Sequence, residues 1–270
     1  LSSVDYGQLK AIPGIEIESH PGLRVLSVKM NNKVGPTSDP NFRKALAWAF
    51  DYEAAVTIQD GEATVMTSPF PAGLTYHVDV EERARTSLDK AREYLAKTEW
   101  PEGGVNLEYV HVQGGEVNRQ LGLALLNALR PLNIGVDIVA QPWATMVGRG
   151  ADPETTPAMV SVFVGSIASD PDAVAMQYHP SARGNYWGMH HYDNPEATAL
   201  IEAGRAEPDE TKRAAIYEQL QQLLVADQPE IWATVGHQVW ARHDYLQGFE
   251  FKPTLLGTEI ELYGLWVKRD

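Results

Sequence analysis

The stretch Met30-Asn31-Asn32-Lys33, continued by Ser38-Asp39-Pro40-Asn41-Phe42-Arg43-Lys44-Ala45-Leu46-Ala47-Trp48-Ala49-Phe50-Asp51, decides how this chain is read. Leu23 to Met30 alternates with period two, as a strand does, and the two asparagines close it. Asp39 has the side chain of a good N-cap, and Pro40 follows at the first helical position, where a missing N–H costs nothing. Phe42, Ala45, Leu46, Ala49 and Phe50 then fall on one helical face. The run thus predicts a strand, a short turn and a core-facing helix. Packing alone accounts for its apolar residues, and Arg43 and Asp51 are expected to pair with neighbours rather than with a ligand.

Outward from this stretch, the pattern alternates between strands and helices. Ile15 to Glu18 has period two. Pro69, Pro71 and Gly73 punctuate an irregular segment, and Ser87 is placed to cap a helix reaching Thr98. Val105 to Gln113 alternates, Glu116 to Arg130 is rich in leucine, and Ile134 to Val139 reads as another strand. Strand, helix and strand in that order predict a right-handed parallel crossover. Met159 to Val164 suits a buried strand. Asp193-Asn194-Pro195-Glu196 opens a helix through Ala203, Asp209 caps the next one, Pro229 stops it, and Ile231 to Trp240 returns as a strand.

Composition narrows the function classes. The chain has 270 residues, 44% hydrophobic and 21% charged, which is enough for a large buried core. Its formal charge of −14 lacks the basic footprint that nucleic acid requires and disfavours an anionic membrane surface. No apolar run approaches the ~18 residues of a membrane-spanning helix. Cysteine is absent, which removes disulfides, thiol catalysis and zinc–thiolate sites. No Gly-x-Ser-x-Gly elbow, His-Glu-x-x-His or Walker loop occurs, and Gly114-Gly115 lacks dinucleotide-binding spacing. A hydrolase using paired carboxylates stays open on composition alone.

Seven pieces, in order, carry a resemblance. They are Asp5-Tyr6 with Pro13-Gly14; the Met30-Asn31 strand and Arg43 helix; the crossover at 105–140; Ser169-Asp170-Pro171-Asp172; Asn194-Pro195; Arg213 with Tyr217 and Asp227 with Pro229; and Gly248-Phe249. Together the sequence resembles the extracytoplasmic solute-binding proteins of family 5, which serve peptide, nickel and oligosaccharide ABC importers. Thr198 departs from the family pattern, which often has Asp there. The resemblance implies an α/β, periplasmic-binding-protein-like lobe, the second of a two-lobe type II binding protein, with most of the N-terminal lobe absent. Residues 28–235 would form that second lobe, 1–27 a hinge and first-lobe segment, and 236–270 the return to the first lobe. It implies capture without catalysis or cofactor, a peptide or oligosaccharide solute, delivery to a membrane permease, and a monomer. The expected location is the periplasm, or the outside of a cell-wall-bounded bacterium with a lipid anchor. A non-transport sensor of the same fold is an alternative.

Clefts of α/β sheets lie at strand C-terminal ends, which directs attention to two loops. The first is Gly165, Ser166, Ile167, then Ala168 to Asp170. Peptide-binding relatives carry an ammonium-holding acid here, and Ile167 stands near that position, with Asp170 as a substitute that also fits a simple turn before proline. The second is Gly184 to Tyr192, where Asn185, Tyr186, Trp187 and His190 interleave amide and aromatic groups suited to stacking. Trp143, after the second crossover strand, is a further lining candidate, as are Phe70, Tyr76 and His77; each is also explained by packing. The pair His190-His191 has no third ligand nearby and points to opposite sides of an extended chain, so no metal is expected. Relatives that bind dipeptides hold the carboxylate with an arginine after the first crossover strand. Val110 to Gly115 has none, which tilts the expected solute towards longer peptides or oligosaccharides.

Overall fold

The computed structural model describes residues 8–166, 168–251 and 262–268. Its strands are β1 (Ile15–Met30), β2 (Ala63–Val65), β3 (Val105–Val112), β4 (Ile134–Gln141), β5 (Met159–Gly165), β6 (Glu230–His243), β7 (Leu246–Gln247) and β8 (Trp266–Val267). The helices are α1 (Pro40–Ala49), α2 (Tyr52–Thr57), α3 (Leu88–Leu95), α4 (Glu116–Leu129), α5 (Trp143–Arg149), α6 (Asp172–Ala175), α7 (Pro195–Ala206) and α8 (Glu210–Asp227). Six strands form one mixed sheet in the order β2-β6-β1-β5-β3-β4. β3 pairs in parallel with β4 and β5, and β3-α4-β4 is the expected crossover. β1 is antiparallel to both of its neighbours.

Helices cover both faces of the sheet. On one face, Leu26, Val28, Met30, Leu107, Tyr109 and Ile231 pack against Phe42, Leu46, Leu95, Leu121 and Leu125. On the other, Val25, Trp232 and Val235 meet Tyr178, Tyr192, Tyr217, Leu220 and Leu224. Beside that second core, Val110, Val160, Val162 and Val164 lie under Met146 and Met189. Because β1 is central, residues 25–30 are buried on both sides. The alternation read in the sequence therefore marks the strand but not a solvent face.

The opening stretch folds as its chemistry dictates. The Asp39 carboxylate accepts from Asn41 N, capping α1, and Pro40 opens the helix. Asp51 caps α2 through Ala54 N, so its expected neighbour is its own helix. Arg43 is only 4% exposed and bonds four carbonyls: Thr37, Ser38, Asp227 and Gln228. It thereby ties the start of α1 to the end of α8. Burial lowers its pKa to about 10, so it stays cationic at neutral pH.

Several boundaries differ from expectation. The helix capped by Ser87 ends at Leu95, because Thr98 Oγ1 bonds Leu95 O and turns the chain. The last long strand starts at Glu230 and runs to His243 rather than Trp240. Residues 15–21 of β1 pair with 237–243 of β6 and leave the main sheet as a two-stranded ribbon. Where the ribbon departs, Gly22, Leu23 and Arg24 of β1 face Gly236 alone, a bulge that bends the pair. A Cβ on Gly22 would stand 3.1 Å from Gly236 O, a tight contact that favours glycine where these strands cross closely.

Candidate functional site

The parallel strands β3, β4 and β5 point their C-terminal ends to one edge of the sheet, the edge where β1 enters at Arg24 opposite Gly165. The loops leaving those strands carry the residues singled out above. Trp143 begins α5 just beyond β4 and is 47% exposed. Tyr186 comes from a distant loop, yet its ring lies 5.2 Å from that of Trp143 in an edge contact. Trp187 stacks at 6.3 Å on Tyr186. Tyr186 and Trp187 pack their inner sides on the Val110–Val164 cluster, and the Trp187 Nε1 hydrogen is buried without a partner among the described residues. This builds a fixed aromatic ledge with one open indole, suited to stacking on planar or apolar groups.

A tight turn holds the ledge. Residues 186–188 form a single 3-10 turn, and Gly188 N donates to Asn185 O. A Cβ on Gly188 would meet Ala182 O at 2.3 Å, so only glycine fits there. Asn185 is exposed at the turn's start.

The other singled-out residues are placed differently. Gly165 ends β5 and exposes no side chain beside Arg24. Ser166 is buried, and its hydroxyl closes a local turn with Ala168. Ile167 lies outside the described residues. Asp170 receives two bonds from Arg213, at 3.0 and 2.9 Å, and accepts from Asp172 N. Burial pushes its carboxyl up, but the Arg213 guanidinium outweighs this and holds it low. His190 is 1% exposed and stacks at 5.2 Å on Tyr178, with its Nδ1 accepting from Tyr192 N. Burial, with Lys29 nearby, keeps its imidazole neutral far below the usual histidine range. His191 turns away, at φ 51°, to meet Thr156 Oγ1 at 2.8 Å. Among the described residues no cluster of three metal-ligating side chains occurs. Phe70 is fully buried, and His77 hydrogen-bonds with Phe70 O, so these two serve the core of α8.

Beneath the aromatic loop lies a buried charge network that the sequence reading missed. Lys29 meets Glu230 at 3.1 Å with both side chains inaccessible. Tyr178 donates to Glu230 at 2.6 Å, and Trp232 Nε1 donates to Tyr178 at 2.8 Å. Arg24 was also missed. Its guanidinium lies 3.9 Å above the Phe163 ring. The available signal for it was an arginine in the run Leu23 to Met30, whose other residues, Ser27 and Lys29 apart, are apolar.

Comparison with known proteins gives a consistent result. The family model described as "Bacterial extracellular solute-binding proteins, family 5 Middle" matches residues 1–186. The "Probable D,D-dipeptide-binding periplasmic protein DdpA" of Escherichia coli (strain K12) is 24% identical over 264 residues, covering 92% of this chain and 48% of that protein. The "Oligopeptide-binding protein AppA" of Bacillus subtilis (strain 168) is 22% identical, covering 93% of this chain and 48% of its own length. Among solved structures, HbpA2 from Haemophilus parasuis superimposes with a TM-score of 0.89 at 22% identity, over 98% of this chain and 52% of that one. The chain thus spans about half the length of these relatives, and it shares its mixed α/β architecture with HbpA2.

Proposed function

Because the chain belongs to the bacterial extracellular solute-binding proteins of family 5, we propose that it forms one lobe of the solute-capturing subunit of an ABC importer. Residues 28–235 are the second lobe in this reading. The β1/β6 ribbon, from 15–21 and 237–243, is the hinge towards a first lobe built from the rest of the protein. A peptide or an oligosaccharide would lie along the strand ends against Trp143, Tyr186 and Trp187, with Asn185 offering an amide. Lobe closure would bury it, and the closed form would pass it to the membrane permease. The protein would act as a monomer outside the cytoplasm, in the periplasm or on a lipid anchor, without cofactor or catalysis. Among the described residues no helix is long and apolar enough to cross a membrane.

The observation that carries this reading is the half-open aromatic ledge, assembled from two loops at the strand ends of a fold with this ancestry. The hydrolase alternative gains nothing from either Ser, His and Glu grouping among the described residues. At His179 the Nδ1 already accepts Ser181 N in a local cap, and Glu202 stands 3.5 Å from Nε2. The second grouping lies beside the ribbon. His237 Nδ1 lies 3.1 Å from Ser19 Oγ and 3.6 Å from Glu62, both on the same nitrogen, while Nε2 faces Thr64 at 2.7 Å. An imidazole so arranged cannot relay a proton between serine and carboxylate.

The test is mass spectrometry of small molecules released by denaturing the gently purified intact protein. A retained peptide or oligosaccharide supports capture. Release of cleavage products from an added peptide or glycoside, at catalytic turnover, would overturn it.

A further inference from the structure

Most arginines of this acidic chain are already engaged. Arg43 is spent on four carbonyls, while Arg149, Arg213 and Arg242 hold Glu108, Asp170 and Glu18. Arg24 is the contrast. It is exposed, yet among the described residues its guanidinium has neither a hydrogen-bond acceptor nor an ion-pair partner. Partial burial alone moves its pKa, downwards, and no nearby carboxylate offsets that shift. It is nevertheless held in place. Its planar head lies 3.9 Å over Phe163, which packs on the sheet's main core. Stacking occupies one face of the guanidinium and leaves its N–H edges available in the plane.

Its position adds to this. Arg24 belongs to the bulge where β1 leaves the ribbon, the kind of irregularity that re-aims a side chain. Its cross-strand partner is Gly165, the last residue of β5, which has no side chain to cover it. It therefore stands at the same end of the sheet as the aromatic ledge, on the opposite face, since Phe163 packs on the main core while the ledge packs over Val160, Val162 and Val164. A chain of net charge −14 repels anions at long range, so a solute with a negative group needs a fixed cation where it docks.

We propose that Arg24 is a specificity-determining anchor that takes a carboxylate of the captured solute in the two-pronged edge of its guanidinium. This rests on the capture reading above. It supplies from β1 the positive group that is missing after the first crossover strand. Two solute classes carry such a group: a peptide through its C-terminus, and an acidic sugar through a uronate.

The test measures the thermal stabilisation and calorimetric affinity of the intact protein with two matched probe pairs. One is a tetrapeptide library with free C-termini against the same library amidated. The other is cellobiouronic acid against cellobiose. The expected result is that the acid member of one pair binds better, and that Arg24→Gln removes the difference with a roughly 10- to 100-fold loss of affinity for the acid. Arg24→Lys, which keeps charge without the planar fork, should fall between. The pair that responds identifies the solute class. An unchanged melting temperature of the free Arg24→Gln protein separates lost binding from lost fold. Equal binding of both members of a responding pair, or an acid preference that survives Arg24→Gln, overturns the anchor and leaves capture standing. Stabilisation by none of the four probes overturns both readings for these solute classes.

Discussion

Replacing Arg43 by methionine should destabilise the protein by about 3–5 kcal/mol. The side chain reaches Gln228 O and Thr37 O, each at 2.9 Å in buried positions, and Ser38 O at 3.1 Å and Asp227 O at 2.9 Å in partly buried ones. Methionine fills the volume of the stem but donates nothing. The two fully buried carbonyls then stand unsatisfied at about 1–3 kcal/mol each, while water can reach the two outer ones. A smaller contribution is the loss of a cation at the C-terminus of α8, about 0.3–1 kcal/mol. Against a domain stability of roughly 5–15 kcal/mol this is severe but measurable. Urea unfolding followed by far-ultraviolet circular dichroism would show a lower midpoint with an unchanged slope. Arg43→Lys should recover only part, since one ammonium cannot serve four acceptors in two directions. A loss below about 1 kcal/mol in Arg43→Met would refute the reasoning, because it would mean the carbonyls find other partners at no cost.

Other outcomes follow from the same geometry. Lys29→Met leaves Glu230 buried beside Tyr178 without its cation and should cost about 3–5 kcal/mol in urea unfolding, with Lys29→Met/Glu230→Gln regaining part of it. His190 is held neutral in the fold, whereas the unfolded chain takes up a proton near pH 6.5. The unfolded state therefore binds more protons below that pH, and stability should fall as pH drops, by about 1.4 kcal/mol per unit for this group. His190→Phe should flatten the slope of melting temperature against pH between 7 and 5, leaving the share of His191, which is shifted the same way. An unchanged slope would remove His190 from the acid response. Trp143→Ala or Trp187→Ala should weaken solute binding by roughly 1–3 kcal/mol in calorimetry, and unchanged affinity in both would take the ledge out of the site.

The fold was largely written in local signals. Asp39, Asp51, Ser87, Asn194 and Asp209 all cap helices by accepting a backbone N–H, as their side chains allow. The crossover was visible because Val105 to Val112 and Ile134 to Gln141 flank a leucine-rich helix of 14 residues. The site was less visible, because it depends on which loops meet. Trp143 and Tyr186 are far apart in sequence, and no periodicity announces that their rings touch. His190 reads as a surface aromatic among glycines, but it is buried against Tyr178 from a preceding turn and lies near Lys29 from a strand far away in sequence. Asp170 reads as a turn residue or a ligand, and Arg213, three helices later in α8, engages both of its oxygens. Arg24 gave only a weak signal, as one of two cations in a mostly apolar run, and the bulge that displays it arises from pairing with β6.

The pairing of β1 with β6 also dictates how the chain must be made. The buried contact of Lys29 with Glu230 joins residues 201 positions apart, and the Glu18–Arg242 pair on the ribbon spans 224. The central strand can pair with β5 earlier, but its longer pairing, with β6, waits until nearly all of this sequence has left the ribosome. Helices such as α4 can form early, but the full sheet cannot. A fold closed by such distant pairings is slow to nucleate, because the entropy of closing the loop is lost before the contacts repay it. Under the proposed role outside the cytoplasm, that delay is an advantage. The chain stays threadable while it is being synthesised and acquires its final shape only after the last strand arrives.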